Sequence, residues 1–182
     1  DRATKTVRVR ATATSKDSKT APVVTETDVP YDRLILATGA EPIRPPFARE
    51  MPENAFHLWT LSDMDRLLKF VHDNTVKRVL VIGAGFVGVE VVEQFHRRGL
   101  HVDLVERLPQ ILTRLDPIFA KIVAKHMESF GVQVLTGESV ASFELDGPRA
   151  IAARLESGKR VETDLVVIGA GVRPRTALAA EA

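Results

Sequence analysis

Three glycines at fixed spacing follow a short apolar run, and they give this sequence its most specific chemistry. The segment Gly83-Ala84-Gly85-Phe86-Val87-Gly88 comes directly after Val79-Leu80-Val81-Ile82. In a strand–turn–helix unit the first glycine permits a tight turn, the second lets the backbone approach a pyrophosphate, and the third allows close helix packing. The free N–H groups and the dipole at the start of such a helix attract phosphate. The spacing therefore predicts a dinucleotide site on this turn.

An acidic residue stands where the second half of such a site is expected. Glu106 ends the next apolar run, about twenty residues further on, where a carboxylate binds the adenosine ribose hydroxyls. The negative charge of Glu106 would repel the 2′-phosphate of NADP, so the sequence favours NAD over NADP. Arg107 and Arg114 leave that choice open, because either guanidinium could pair with a 2′-phosphate. The interpretation we favour for both arginines is surface solvation.

Two residues at the start of the predicted helix allow two interpretations. Phe86 and Glu90 lie one helical turn apart, so both can face the same side of a helix. In the functional interpretation, Phe86 covers a nicotinamide pocket and Glu90 lies near the carboxamide. In the alternative, Phe86 belongs to the core and Glu90 is a first-turn acid that the helix dipole favours. The spacing does not choose between them.

Composition excludes several other kinds of site. The net charge of +1 argues against nucleic acid as a partner, and the absence of cysteine excludes disulfides and thiolate metal sites. The five histidines show no repeated ligand spacing, so no metal site is expected. No apolar run approaches the ~20 residues that span a bilayer, and no secretory signal opens the chain. We therefore expect a cytoplasmic protein that acts on a small molecule and does not bind membranes.

Alternating strand and helix patterns surround the glycine turn. The predicted elements are a helix over 61–71 with Ser62 as its N-cap, a strand over 78–82, a helix over 86–98, a strand over 101–105, a helix over 116–130 and a strand over 132–135. From residue 140 the period drops to two, which predicts three short strands at 140–145, 150–155 and 160–163 before a buried strand at 165–168. The fold class is therefore α/β, a Rossmann-like parallel sheet crossed by a three-stranded β-meander.

The first part of the chain has a different pattern. Alternation predicts strands over 6–10 and 23–27, with a hairpin turn over 14–20. The continuous apolar run at 34–37 predicts a strand buried on both faces. The Pro-rich segment 41–52 cannot continue a helix or a central strand, so it is predicted to be a linker.

Three segments resemble the pyridine nucleotide-disulfide oxidoreductase family. Residues 31–40 (YDRLILATGA) resemble the segment where the FAD domain leads into the NAD domain, and residues 77–107 resemble the NADH fingerprint. Residues 164–174 (DLVVIGAGVRP) resemble the strand and loop that return toward the flavin. Within the family, residues 108–117 (LPQILTRLDP) are most similar to the coenzyme A-disulfide reductase and NADH oxidase branch.

The resemblance implies an enzyme that passes hydride from NADH to FAD and on to a disulfide, such as coenzyme A disulfide, or to oxygen. It implies that an aromatic ring at Phe86 moves aside for NADH and that the acid at Glu90 lies near the nicotinamide. The other NAD-binding positions are Val87, within the glycine turn, and Arg107, directly after Glu106. The remaining implied roles are those of Gly169, Ala170 and Gly171 at the nicotinamide–flavin junction, and of Ala37, Thr38 and Gly39 against FAD.

Several parts of that family lie outside these residues: the first FAD fingerprint, the redox-active cysteine, the later acidic FAD motif and the dimerisation domain. The expected organisation is a small β-rich piece of the FAD domain over 1–42, an NAD(P)-binding domain over 43–165 and a return segment over 166–182. We expect a piece of a longer, homodimeric flavoprotein that binds NADH weakly, does not turn over alone and contains no catalytic residue.

Other functions compete with this one. A non-catalytic NAD-binding or sensing module would keep the glycine turn but would not need the segments around residues 37–39 and 169–174. A self-sufficient dehydrogenase would need a substrate domain with a catalytic Lys, His or Tyr, and the meander over residues 140–163 does not offer such a domain. A reductase of a ferredoxin-like partner or of nitrite belongs to the same class, and only the missing cysteine region would separate it.

Overall fold

The structure is a computed structural model that describes residues 1–13 and 23–181. The chain divides into two compact units, residues 1–40 with 174–182, and residues 41–173. In chain order the elements are β1 (Thr6–Ala13), β2 (Val23–Pro30), β3 (Ala40–Pro42), a 3₁₀ helix (Pro46–Ala48), β4 (Ala55–His57), α1 (Leu61–Asp73), β5 (Arg78–Ile82), α2 (Phe86–Arg97), β6 (His101–Glu106), α3 (Pro117–Ser129), β7 (Gln133–Thr136), β8 (Val140–Asp146), β9 (Arg149–Leu155), β10 (Arg160–Glu162), β11 (Leu165–Ile168), β12 (Val172–Pro174) and α4 (Ala177–Glu181).

A parallel sheet with the strand order β4-β11-β5-β6-β7 forms the middle of the larger unit. Val79 and Val81 of β5 pack with the apolar residues of α1, α2 and α3, whereas Leu80 and Ile82 pack with those of β8, β9 and β10. Because both faces of the sheet are covered, its strands are continuous apolar runs. The predicted Rossmann-like sheet is confirmed. Residues 166–168, which the sequence assigned to the return segment, belong to β11.

The predicted meander is present as the antiparallel order β10-β9-β8, and it covers one face of the parallel sheet. The buried side-chain amide of Asn54 holds the meander in this position. Asn54 Nδ2 donates to the carbonyls of Ala150 at 2.7 Å and Asp164 at 2.9 Å, and its Oδ1 accepts from the Ala150 amide at 2.8 Å. These bonds fix the start of β9 against the segment that enters β11.

The N-cap of the first helix lies two residues earlier than the sequence predicted. Thr60, not Ser62, is the N-cap of α1: its hydroxyl accepts from the Asp63 amide, and an Asp63 carboxylate oxygen accepts from the Thr60 amide at 2.8 Å. This reciprocal pair is a capping box, which satisfies donors that the helix cannot satisfy itself. Burial opposes ionisation of Asp63, but the hydrogen bonds from Thr60 and Arg66 outweigh it and lower the pKa of Asp63 to about 2.

The predicted linker over 41–52 is wrong. Within it the 3₁₀ helix packs against the meander face of the core, where Ala48 is fully buried and the rings of Phe47 and Phe143 meet edge to face at 5.8 Å. Proline fixes the backbone of this segment, but its apolar side chains still gain from burial. The segment is therefore part of the larger unit.

In the smaller unit, β1 and β2 form an antiparallel ladder from Thr6↔Pro30 to Ala13↔Val23. The hairpin turn predicted over 14–20 lies outside the described residues. The strand predicted over 34–37 is wrong: these residues form no strand, and Ile35 is 88% exposed. A strand buried on both faces needs paired neighbours, and no described strand pairs with this segment.

Candidate dinucleotide-binding site

A cleft of about 730 Å³ opens in the larger unit, at the carboxyl ends of the parallel strands. Chain order reverses between β5 and β11, and ligands of open α/β sheets bind in the crevice at such a point. The cleft is lined by the turn after β5, the end of β6 and the loop after β11, namely Gly83–Gly85, Glu106–Leu108 and Gly169–Gly171. The structure thus brings together three segments that are far apart in the sequence.

Two glycines of the turn are required by packing. Gly83 has φ +100°, and a Cβ at this position would stand 2.3 Å from the carbonyl oxygen of Gly169. A Cβ at Gly88 would stand 1.9 Å from the carbonyl oxygen of Gly83. The turn, the loop after β11 and the start of α2 therefore pack backbone against backbone, which no larger residue allows.

The middle glycine has no such packing reason. A Cβ at Gly85 would meet no protein atom within 4 Å, and its backbone is extended, as any residue permits. Gly85 is also the N-cap of α2, and no side chain in the described part of the chain caps this helix. The first N–H groups of α2 are thus left for another acceptor, and the space beside Gly85 lets that acceptor approach.

Glu106 is tied to the glycine turn. One carboxylate oxygen accepts from the Ala84 amide at 2.7 Å, and the other accepts from the Leu108 amide at 2.8 Å. The sequence located this residue but did not show that it orders the loop as well. A carboxylate has about four acceptor positions, so two further donors can still bind it.

Phe86, Val87 and Glu90 do not line the cleft. They line a second groove of about 440 Å³ between α1 and α2, together with Met64 and Leu68. Phe86 is 59% exposed, so the interpretation of Phe86 as a core residue is wrong. The alternative role of Phe86 and Glu90, near a nicotinamide, stays a prediction.

The remaining predicted residues also divide between the cleft and other parts of the chain. Arg107 lines the cleft, but Arg114 does not. Ala37, Thr38 and Gly39 belong to the smaller unit, where the Thr38 hydroxyl donates to the Arg175 carbonyl at 2.6 Å and the Gly39 carbonyl accepts from the Arg175 amide at 2.9 Å. Their contact with FAD stays a prediction.

Sequence reasoning missed two parts of the cleft. Ile43, Pro45 and Phe47 come from the supposed linker, and the Ile43 amide donates to the Gly171 carbonyl at 2.9 Å. Glu138 and Ser139 follow β7 at the same edge of the sheet. The rule that the carboxyl ends of parallel strands share one edge would have found this second pair.

A histidine supports the loop after β11. His57 ends β4, and its Nδ1 lies 3.3 Å from the carbonyl oxygen of Ile168, the residue before Gly169. Its Nε2 is buried and has no hydrogen-bond partner among the described residues. Burial lowers the pKa of His57 and the nearby Arg44 lowers it further, so the ring is neutral at pH 7.

The described residues hold neither a metal-ligand cluster nor a membrane-spanning helix. Residues 1–13 and 23–181 contain no group of three or more His, Cys, Asp or Glu residues placed to hold a metal ion. In the same part of the chain, no helix is both long enough and apolar enough to cross a membrane.

Comparison with known proteins identifies similar chains. The sequence profile described as "Pyridine nucleotide-disulphide oxidoreductase" matches residues 1–182. An NADH oxidase of Methanocaldococcus jannaschii is 38% identical over 158 residues, which are 86% of this chain and 35% of the relative. The chain thus spans about a third of the length of the curated relatives it matches.

Two solved structures are similar in fold and sequence. The reduced CoADR-RHD of Bacillus anthracis has a TM-score of 0.79 and 30% identity over 94% of this chain and 31% of its own. A ferredoxin reductase for the CYP199A2 system of Rhodopseudomonas palustris has a TM-score of 0.79 and 31% identity, covering 85% of this chain and 38% of its own.

Proposed function

Because the chain belongs to the pyridine nucleotide-disulphide oxidoreductase family, we propose that it is the NADH-binding portion of a flavin-dependent oxidoreductase. The observation that carries this proposal is the convergence of Gly83–Gly85, Glu106 and Gly169–Gly171 on one cleft. The whole enzyme would pass hydride from NADH to FAD and on to a disulfide, such as coenzyme A disulfide, or to oxygen. The chain alone would not turn over, and the whole protein would be a homodimer.

The residues of the cleft fit a dinucleotide. The uncapped N–H groups of α2 would bind the pyrophosphate, and Gly85 leaves room for it. Glu106 would accept from the ribose hydroxyls while its bonds to Ala84 and Leu108 keep the loop in place. When bound, NADH supplies the hydride, and the chain's part is to hold the dinucleotide in the cleft.

FAD would be held mainly by residues outside this chain. The smaller unit, residues 1–40 with 174–182, would be the chain's share of the flavin domain. Gly39 has φ +72° and open space where a Cβ would stand, which suits close approach by a flat ring. In the whole enzyme Phe86 and Glu90 would flank the nicotinamide, and the exposure of Phe86 leaves its ring free to move.

Gly85→Ser tests the site because it separates binding from folding. Serine is a favoured N-cap and the space around Gly85 is open, so we expect the midpoint of thermal unfolding to stay within about 2 °C. The new side chain enters the space that a pyrophosphate would use. We expect the affinity for NADH, measured by calorimetry on the 182-residue chain, to fall at least tenfold. Undiminished affinity would contradict this site.

Titration with NADPH tests the cofactor preference. The charge of Glu106 beside the ribose should make NADPH bind at least tenfold more weakly than NADH at low salt. Removal of Arg107, as Arg107→Gln, should leave that order unchanged if the arginine only solvates the rim. If the wild-type chain prefers NADPH, the proposed preference is wrong, and loss of that NADPH preference in Arg107→Gln would show that Arg107 recognises the 2′-phosphate.

A second candidate function is the reduction of a ferredoxin-like protein. The similarity to the Rhodopseudomonas palustris ferredoxin reductase favours it as much as the similarity to CoADR-RHD favours a disulfide. The residues of this chain would bind NADH in the same way in either case. Steady-state assays of the full-length protein with coenzyme A disulfide, oxygen and a ferredoxin would identify the acceptor.

A further inference from the structure

The cleft extends beyond Glu106 to a region with no role in the proposed function. There the loop after β6 is joined to the loop after β7: the Gly137 amide donates to the Leu108 carbonyl at 2.9 Å, and the Glu138 amide donates to the Glu106 carbonyl at 3.0 Å. The backbone of Glu138 is consequently held beside Glu106, the acidic residue assigned to the ribose.

The Glu138 side chain is available to a ligand. It lines the cleft and is partly buried, and it makes no hydrogen bond or ion pair with any described residue. An ionised carboxylate only accepts hydrogen bonds. Leu108, which is 41% exposed, and Val140, which is buried, line the cleft nearby and provide apolar surface. The region thus combines apolar walls with a carboxylate that can accept a hydrogen bond.

The position of this region along the cleft indicates which part of a dinucleotide reaches it. The pyrophosphate would lie on the turn after β5, and the loop after β11 lies on one side of that turn. On the other side, Glu106 ends β6 and Glu138 follows β7. A base attached to the ribose at Glu106 would therefore project toward Glu138.

We propose that Glu138 accepts a hydrogen bond from the exocyclic amino group of adenine, so that the cleft selects adenine over hypoxanthine dinucleotides. This inference rests on the proposed NADH site. Adenine offers an amino donor at the edge of a flat apolar ring, which matches an acceptor between apolar walls. Hypoxanthine carries a carbonyl oxygen in place of that amino group, and this oxygen would face the carboxylate of Glu138.

The test compares NADH with reduced nicotinamide hypoxanthine dinucleotide, by calorimetric titration of the 182-residue chain. We expect NADH to bind about fivefold more tightly, the effect of one hydrogen bond at a partly exposed site. Glu138→Ala should abolish this preference, and Glu138→Gln should keep part of it because the amide oxygen still accepts. Glu156→Ala is the matched control, since it removes another carboxylate that lines the cleft and should leave the preference unchanged.

The outcomes separate the two proposals. Equal affinity of the wild-type chain for both dinucleotides, or a preference that survives in Glu138→Ala, overturns the role of Glu138 and leaves the NADH site intact. A preference lost equally in Glu156→Ala shows a general effect of charge and also overturns it. If NADH itself does not bind, the proposed function fails, and the inference fails with it. Unfolding midpoints of all variants establish that they are folded.

Discussion

Two runs of four apolar residues differ completely in burial. In β11, residues 165–168 are at most 2% exposed, because β4 and β5 pair with this strand on either side and apolar layers cover both faces of the sheet. In the smaller unit, Leu34, Ile35 and Leu36 are 46%, 88% and 43% exposed. An apolar run thus predicts a buried strand only where the rest of the fold supplies paired neighbours.

Leucine truncation in each run measures this difference directly. Leu165→Ala should lower the free energy of unfolding by about 3 kcal/mol, because it leaves a cavity in a core with little freedom to collapse. Leu34→Ala should change it by less than about 0.5 kcal/mol. Urea unfolding of both variants checks the prediction. A large loss in Leu34→Ala would show that the 182-residue chain buries this run in solution.

Two glycines offer the same contrast between crowded and open surroundings. Gly83 and Gly137 both have positive φ, but a Cβ at Gly83 would meet the Gly169 backbone, whereas one at Gly137 would meet no atom within 4 Å. We expect Gly83→Ala to cost about 3 kcal/mol, from overpacking added to backbone strain. Gly137→Ala should cost about 1 kcal/mol, from strain alone. Equal losses in thermal unfolding would mean that the turn can move away from the loop after β11.

Local patterns predicted most of the larger unit. Apolar runs located β5, β6 and β11, and the period of two located the meander strands, because each pattern reports an environment that the strand has in the fold. The glycine spacing located the turn, and the number of residues between this turn and Glu106 located the acid beside it. These features depend on residues close in sequence or on a recurring strand–turn–helix unit.

The rest required tertiary contacts. Proline content made residues 41–52 resemble a linker, but the burial of Ala48 depends on β8, which follows almost a hundred residues later. Likewise, nothing near Phe86 in the sequence shows that α1 leaves one side of α2 open. The hydrogen bond between Glu106 and the Ala84 amide joins two loops, so spacing indicated their proximity without showing the bond.

The first helix cap provides a smaller test of local against structural prediction. Thr60→Ala removes the hydroxyl that accepts from the Asp63 amide, and it should cost about 1 kcal/mol of the free energy of unfolding. Ser62→Ala changes the residue that the sequence suggested as the cap. Because Ser62 lies inside the helix, this change should cost less than about 0.5 kcal/mol. Thermal unfolding of the two variants distinguishes them, and the reverse order would contradict the observed start of α1.

His57 links burial in the fold to the pH dependence of stability. Burial lowers the pKa of His57 below its ordinary value of 6.5, and Arg44 adds to this effect, whereas the Ile168 carbonyl and Asp63 oppose it. The unfolded chain therefore binds more protons than the folded chain between the lowered pKa and 6.5. Stability from this group is complete above pH 6.5 and is lost as the pH falls through that window, with a slope of at most about 1.4 kcal/mol per pH unit.

Urea unfolding at several pH values between 5 and 8 would measure that slope in the wild-type chain and in His57→Gln. The variant should lose the part of the slope that His57 contributes, because glutamine does not titrate. Since His57 bonds to the residue before Gly169, a slope lost in His57→Gln would show that protonation of His57 opposes folding next to the strand that leads into the cleft. An unchanged slope would mean that the ring reaches solvent when it is protonated.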